Sequence, residues 1–223
     1  DILIKKVDEI NSILSNLKSL NISQNVTDLE SLKIIANQFI VGKDNIVIFG
    51  TGGSNLGARA LINLLNGQYK KNIIFYDNID PFQFNAIISK INFERTGFII
   101  ISKSGLTPET LSQFASIIEI YKINNIIHKL SENCVIITEN KDSPLKRIAN
   151  KYNCQILDHD KDIGGRYSVF SNVGLFPAYI AGLNVEKIRE GSKDIISQVQ
   201  NNLFNEHHIG ATIFSYLHAT QKI

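Results

Sequence analysis

Five short apolar runs, each bounded by turn residues, recur between Asn45 and Leu157: Ile46–Phe49, Ile73–Tyr76, Phe98–Ile101, Val135–Thr138 and Gln155–Leu157. Stretches with helical spacing of apolar residues lie between them, at about 54–66, 80–91, 108–125 and 143–152. The runs are rich in β-branched residues and hardly alternate, as expected of strands buried on both faces. Strand alternating with helix requires parallel pairing through right-handed crossovers. The expected fold is therefore α/β, a doubly wound parallel five-stranded sheet with helices on both faces. Ahead of it, Ile4, Val7, Ile10, Ile13, Leu14 and Leu17 share one helical face, and a second helix runs from about Asp28 to Phe39, capped near Thr27. After Asp158 the pattern is helical at about 172–182, 185–202 and 206–221. The expected organisation is an N-terminal helical segment (1–42), the α/β domain (43–182) and a C-terminal helical segment (183–223).

Ligands of such sheets bind at the carboxyl ends of the strands, which points to three loops. In the first, Gly50-Thr51-Gly52-Gly53-Ser54-Asn55-Leu56-Gly57, glycines let the backbone approach an anion, and Ser54 can cap the helix or bind a ligand oxygen. The plainer reading is a glycine turn needed only for packing. Dinucleotide binding competes with both: Asp77 stands about 20 positions on, but Asn55 takes the place of the third glycine of that fingerprint, and Gly57 lacks the Lys-Ser/Thr of a P-loop. In the second loop, Ser102-Lys103-Ser104-Gly105-Leu106-Thr107-Pro108-Glu109-Thr110, Thr107 is an N-cap and Pro108 suits the first helical position. Hydroxyls and free amides at a helix start make an anion site, or simply a capped turn. The third, Ile163-Gly164-Gly165-Arg166-Tyr167-Ser168, leaves room beside a permanently charged, bidentate donor. Alone it would be a surface Arg in a turn; three such loops at one sheet end are harder to set aside.

Composition narrows the function by exclusion. A formal charge of +2 over 223 residues, scattered along the chain, argues against nucleic acid or a membrane surface as partner. No run approaches the ~20 apolar residues needed to span a bilayer, and the start has no signal-peptide layout. Cys134 and Cys154 form no C-x-x-C pattern and read as buried thiols of a reducing compartment.

The three loops, in their order and spacing, resemble the N-terminal part of the glucose-6-phosphate isomerase family, a likeness running from about Asn45 to Gly182. The third loop is its most specific part. The resemblance implies a flavodoxin-like sugar-isomerase (SIS) domain. It also implies a cytoplasmic enzyme that interconverts glucose 6-phosphate and fructose 6-phosphate without cofactor or metal, as a homodimer when complete. By resemblance Ser54, Ser102, Ser104 and Thr107 hold the sugar phosphate, with the backbone of Gly53, Lys103 and Gly105 lining the same pocket. Arg166 is the catalytic residue, beside the C1–C2 end, where a guanidinium would stabilise an enediolate. Thr51, Leu106 and Lys161 depart from the family's usual residues, without touching these positions.

Aldose–ketose isomerisation also needs a base poised near neutral pH and a group for ring opening. The family's Glu, His and Lys for these tasks have no counterpart in the sequence. Glu206, His207 and His208 lack a glycine-rich or strand-end context and read as surface or interface residues. His159 lies near the third loop without an orienting carboxylate and reads as structural; His128 and His218 receive no role. The expectation is an inactive fragment leading to a missing second domain, which also fits a start without Met and a terminal helix, Thr212 to Ile223, with no stop signal. The alternative is a non-catalytic phosphosugar-binding SIS module.

Overall fold

The computed structural model describes residues 12, 16–65, 67–200, 213–215, 217, 218 and 220. Along them lie α1 (Lys18–Asn21), α2 (Thr27–Phe39), β1 (Asn45–Phe49), α3 (Gly53–Asn63), β2 (Asn72–Tyr76), α4 (Pro81–Ile88) and β3 (Thr96–Ile101). Then follow α5 (Pro108–Ile123), α6 (Leu130–Asn133), β4 (Cys134–Thr138), α7 (Pro144–Lys151), β5 (Gln155–Asp158), α8 (Asn172–Ala181) and α9 (Val185–Gln200). All five predicted strands form, each within two residues of its expected ends. Most of the helix face expected over residues 1–20, and most of the helix expected over 206–221 with Glu206, His207 and His208, lies outside the described residues.

The sheet has the order β2-β1-β3-β4-β5, and every neighbouring pair is parallel. Burial follows that order. β3 and β4 are buried throughout and β1 nearly so, while the edge strands β2 and β5 carry exposed positions. The central strands are accordingly the ones written as unbroken Ile, Val and Phe. One sheet face packs Val47, Phe49, Phe98, Ile100 and Ile136 against Phe114, Ile117 and Tyr121 of α5 and Leu145 of α7. On the other, α8 packs on α3 and α2, and the Phe39 and Phe176 rings lie 6.0 Å apart. Helices therefore cover both faces, as a doubly wound fold requires.

The chain divides into two compact units. Val26–Val185 contains the sheet, with α2 packed as part of it. The described parts of Asp1–Asn25 and Glu186–Ile223 make the other, in which Arg189 Nη1 donates to the Asn25 carbonyl at 2.5 Å. The start of α2 differs slightly from expectation: Thr27 is its first helical residue, and the N-cap position falls to Val26, whose side chain makes no capping bond. Cys134 and Cys154 are buried free thiols, and burial pushes the Cys134 thiol well above its ordinary value. Among the described residues no helix is long and apolar enough to cross a membrane.

Candidate functional site

In this strand order the chain reverses direction across the sheet between β1 and β3, the switch point at which ligands of open α/β sheets bind. The helices following the strands differ there in a telling way. Asp80 caps α4, Ser143 caps α7 and Ser171 caps α8, each through its side-chain oxygen. The helices after β1 and β3 carry no such bond: α3 begins behind Gly52, and α5 behind Thr107, whose hydroxyl is turned away from its own helix. The Ser54 and Asn55 amides of α3 turn back to the Thr51 and Gly52 carbonyls, which leaves the amides of Gly53 on α3 and of Glu109 and Thr110 on α5 without a hydrogen-bond partner among the described residues.

That space is a cavity of about 340 Å³ lined by Thr51, Gly53, Ser54, Lys103, Ser104, Thr107, Glu139, Lys141, Gly165 and Arg166. Six of the eight residues singled out from sequence, Gly53, Ser54, Lys103, Ser104, Thr107 and Arg166, thus line one cavity. Ser102 and Gly105 lie behind it. Ser102 is only 2 % exposed, its hydroxyl 2.8 Å from that of Thr107 and accepting the Gly105 amide at 3.1 Å. This explains the absent Thr107 cap: the hydroxyl is engaged by Ser102 instead. Gly105 has φ +64°, and a Cβ there would stand 2.2 Å from Ser143 Oγ, so the turn requires glycine. Ser104 Oγ accepts the Leu106 amide at 3.1 Å. The Ser54 hydroxyl makes no hydrogen bond among the described residues.

The third loop is seated against the first by the absence of a side chain. A Cβ on Gly53 would lie 2.3 Å from the Gly165 carbonyl carbon and 2.6 Å from the Arg166 nitrogen. Arg166 projects from the short 3₁₀ turn Gly165–Tyr167, exposed, and makes no ion pair among the described residues. Its charge is thus free for a ligand. Ser168 is spent inside the loop, donating to the Gly165 carbonyl at 2.6 Å.

Sequence reasoning missed the contribution of the loop after β4. Glu139 and Lys141 line the cavity, their charged groups 2.8 Å apart. The Lys141 ammonium holds the Glu139 carboxyl below the usual carboxylate range. The signal available was positional: these residues follow a strand end, without glycine or a hydroxyl cluster to draw attention. Asp77, the acidic residue of the dinucleotide reading, is occupied: Asn55 Nδ2 donates to it at 3.0 Å and Arg59 pairs with it at 3.1 Å. His159, just after β5, is fully buried, Nδ1 facing the Asp160 carbonyl at 3.2 Å and Nε2 without a partner. Burial holds its pKa below the ordinary imidazole value, with the Lys103 charge acting in the same direction.

Fold and site together define a sugar-isomerase (SIS) type of α/β domain with its cavity at the switch point. A family model, phosphoglucose isomerase, matches residues 6–210. The chain belongs to the phosphoglucose isomerase family. A probable glucose-6-phosphate isomerase of Methanococcus maripaludis is 36% identical over 164 residues, covering 71% of this chain and 36% of the relative. The crystal structure of a glucose-6-phosphate isomerase from Chlamydia trachomatis is 25% identical, with a TM-score of 0.63 over 86% of this chain and 35% of that one. A hypothetical protein from Thermus thermophilus, 23% identical, shares the fold with a TM-score of 0.77 over 87% of this chain and 48% of its own. The chain spans 36% to 54% of the length of the first curated relatives it matches.

Proposed function

We propose that the cavity at the β1–β3 switch point binds the phosphate of a hexose 6-phosphate, and that the whole enzyme interconverts glucose 6-phosphate and fructose 6-phosphate. One observation carries the reading: the two strand-following helices without side-chain caps, and a guanidinium with no ion pair, open on the same cavity. Helix N-termini and hydroxyls favour a phosphate, whereas an unpaired guanidinium suits charge developing on a second part of the same ligand. The volume, about 340 Å³, lies within the range of small-molecule pockets.

In this reading Ser54, Ser104 and Thr107, with the backbone of Gly53, Lys103 and Gly105, hold the phosphate. Ser102 acts from behind by orienting the Thr107 hydroxyl. Arg166 is the catalytic residue at the C1–C2 end of the sugar, and residues 43–182 are the phosphosugar-binding domain. The base is supplied from elsewhere. Among the described cavity residues Glu139 is the one carboxylate; its pairing with Lys141 lowers its basicity, and no imidazole lines the wall. The described cavity residues are thus suited to hold a phosphosugar rather than to take a proton from it.

Amide chemical-shift mapping tests this directly, with separate titrations of fructose 6-phosphate, inorganic phosphate and NAD. Saturating shifts at Ser54, Ser104 and Thr107 are expected with the first two, and added shifts at Arg166 with the sugar alone. A response only to NAD would show that the cavity takes a different ligand.

A further inference from the structure

Lys103 occupies three connections at once. Its carbonyl accepts the Glu139 amide at 3.1 Å and the Thr138 hydroxyl at 3.4 Å, which ties it to the loop after β4. The residue itself lines the cavity. Its ammonium crosses to the third loop, donating to the Lys161 carbonyl at 2.7 Å and to the Ile163 carbonyl at 2.9 Å. A lysine used for an ion pair or for solubility has no need of two backbone carbonyls some sixty residues away in the chain. Both carbonyls belong to the stretch immediately before Gly164, Gly165 and Arg166, so the loop carrying the guanidinium is held on two sides. The Lys103 ammonium grips its approach, and the bare backbone of Gly53 supports Gly165 and Arg166 from the other side.

We infer that Lys103 is the positioning residue for Arg166: its side chain couples the loop that captures an anion to the loop that presents the guanidinium. The identity of the anion rests on the phosphosugar reading above; the tie itself does not. An anion held by the backbone around Lys103 and Ser104 fixes the root of the lysine side chain, which in turn fixes the Lys161–Ile163 carbonyls. Substrate capture at one end of the cavity is thereby transmitted to the reacting end. The bonds are charge-assisted and directional, and the ammonium stays on the cation's side of the ledger, adding positive field to a cavity meant for an anion.

The test uses the full chain in three forms: unaltered, Lys103→Met, and Lys103→Cys before and after alkylation with 2-bromoethylamine, which restores an ammonium at lysine length. The readout is hydrogen exchange at the Ile163 and Tyr167 amides, which bond within the third loop to the carbonyls of Asp160 and Gly164 and are not on the cavity wall. Strand amides of Ile99 and Ile136 report on the fold. Removing the ammonium is expected to speed exchange at Ile163 and Tyr167 roughly tenfold, about the effect of losing one such bond, with the strand amides unchanged. Alkylation of the cysteine form is expected to reverse it. Inorganic phosphate is expected to slow Ile163 in the unaltered chain but not in Lys103→Met, although Ser104 and Thr107 still respond there. Equal exchange at Ile163 before and after alkylation overturns the inference, even should Lys103→Met fail to fold. Absence of any Ser104 or Thr107 response to phosphate in the unaltered chain overturns the phosphosugar reading instead, and the ligand-free exchange then still decides the tie.

Discussion

Single side chains divide here into those with their bonding already spent and those with it held open. Ser102, Ser168 and Asp77 are spent on the protein, whereas Ser54 and Arg166 are not. Ser54→Ala should therefore leave stability within about 0.5 kcal/mol, as for a partnerless surface change, while weakening fructose 6-phosphate binding about tenfold through the loss of a charge-assisted bond. Urea unfolding and calorimetric titration of the same sample check both halves, and a loss of stability without a loss of affinity would mean that the hydroxyl is structural. His159 provides a pH signature. Its Nδ1 is engaged by a backbone carbonyl, its Nε2 has no partner, and burial depresses its pKa in the folded chain from an ordinary value near 6.5. Above that value the imidazole is neutral in both states and contributes no pH dependence. As pH falls below it, the unfolded chain takes up the proton first, so stability drops until pH reaches the folded value. Urea midpoints should fall between pH 7.5 and 5.5 in the native chain and fall less in His159→Gln; parallel slopes would remove His159 from the account.

Between elements, what matters most is how closely two loops approach. Gly53 and Gly165 face each other across the first and third loops, yet they are not equivalent. A Cβ on Gly53 collides with backbone at 2.3 Å, whereas a Cβ on Gly165 meets nothing within 4 Å. Gly53→Ala should cost about 1–3 kcal/mol, the usual penalty of overpacking, and Gly165→Ala should stay within about 0.5 kcal/mol. Denaturant midpoints of the two variants, measured side by side, would contradict the docking of the loops if they matched. This contact also marks where reading the sequence stops. The strands were legible because burial on both faces demands unbroken apolar runs, and Phe98 to Ile101 has no other way to be satisfied. The loops were legible because three of them, each ordinary alone, follow strand ends of one sheet in a single chain. The pairing of Gly53 with Gly165, the retreat of Ser102 behind the wall and the arrival of Glu139 and Lys141 were not legible. Each depends on which strand ends up beside which, and the order β2-β1-β3-β4-β5 is a property of packed faces that no local pattern states. Thr107 shows the same limit in one residue: its position as N-cap follows from the Thr-Pro pair, but the direction of its hydroxyl follows from Ser102.

At the scale of the molecule, binding and chemistry separate. Positive field converges on the cavity from two helix N-termini, Arg166 and Lys103, while the Glu139 carboxylate and the Lys141 ammonium offset each other as a pair. Such a site stabilises an anion well and removes a proton poorly, because a base must have both a raised affinity for the proton and a free lone pair aimed at the carbon. His159, close to the third loop in sequence, fails on both counts: it is fully buried and does not line the cavity, and burial makes it a weaker base. On the proposed reading, binding without turnover is the expected outcome. In an assay coupling glucose 6-phosphate formation to dehydrogenase reduction of NADP, the chain should give no rate above the enzyme-free control, while fructose 6-phosphate still perturbs Ser104 and Thr107. The loss of positioned acid–base catalysis alone is worth about 10²–10⁴ in rate, so even a well-bound substrate should turn over too slowly to register. A rate approaching the ~1–10³ s⁻¹ of ordinary enzymes would require a base within reach of this cavity. Glu139 released from Lys141 would then be the first residue to change, and Glu139→Gln would have to abolish the rate.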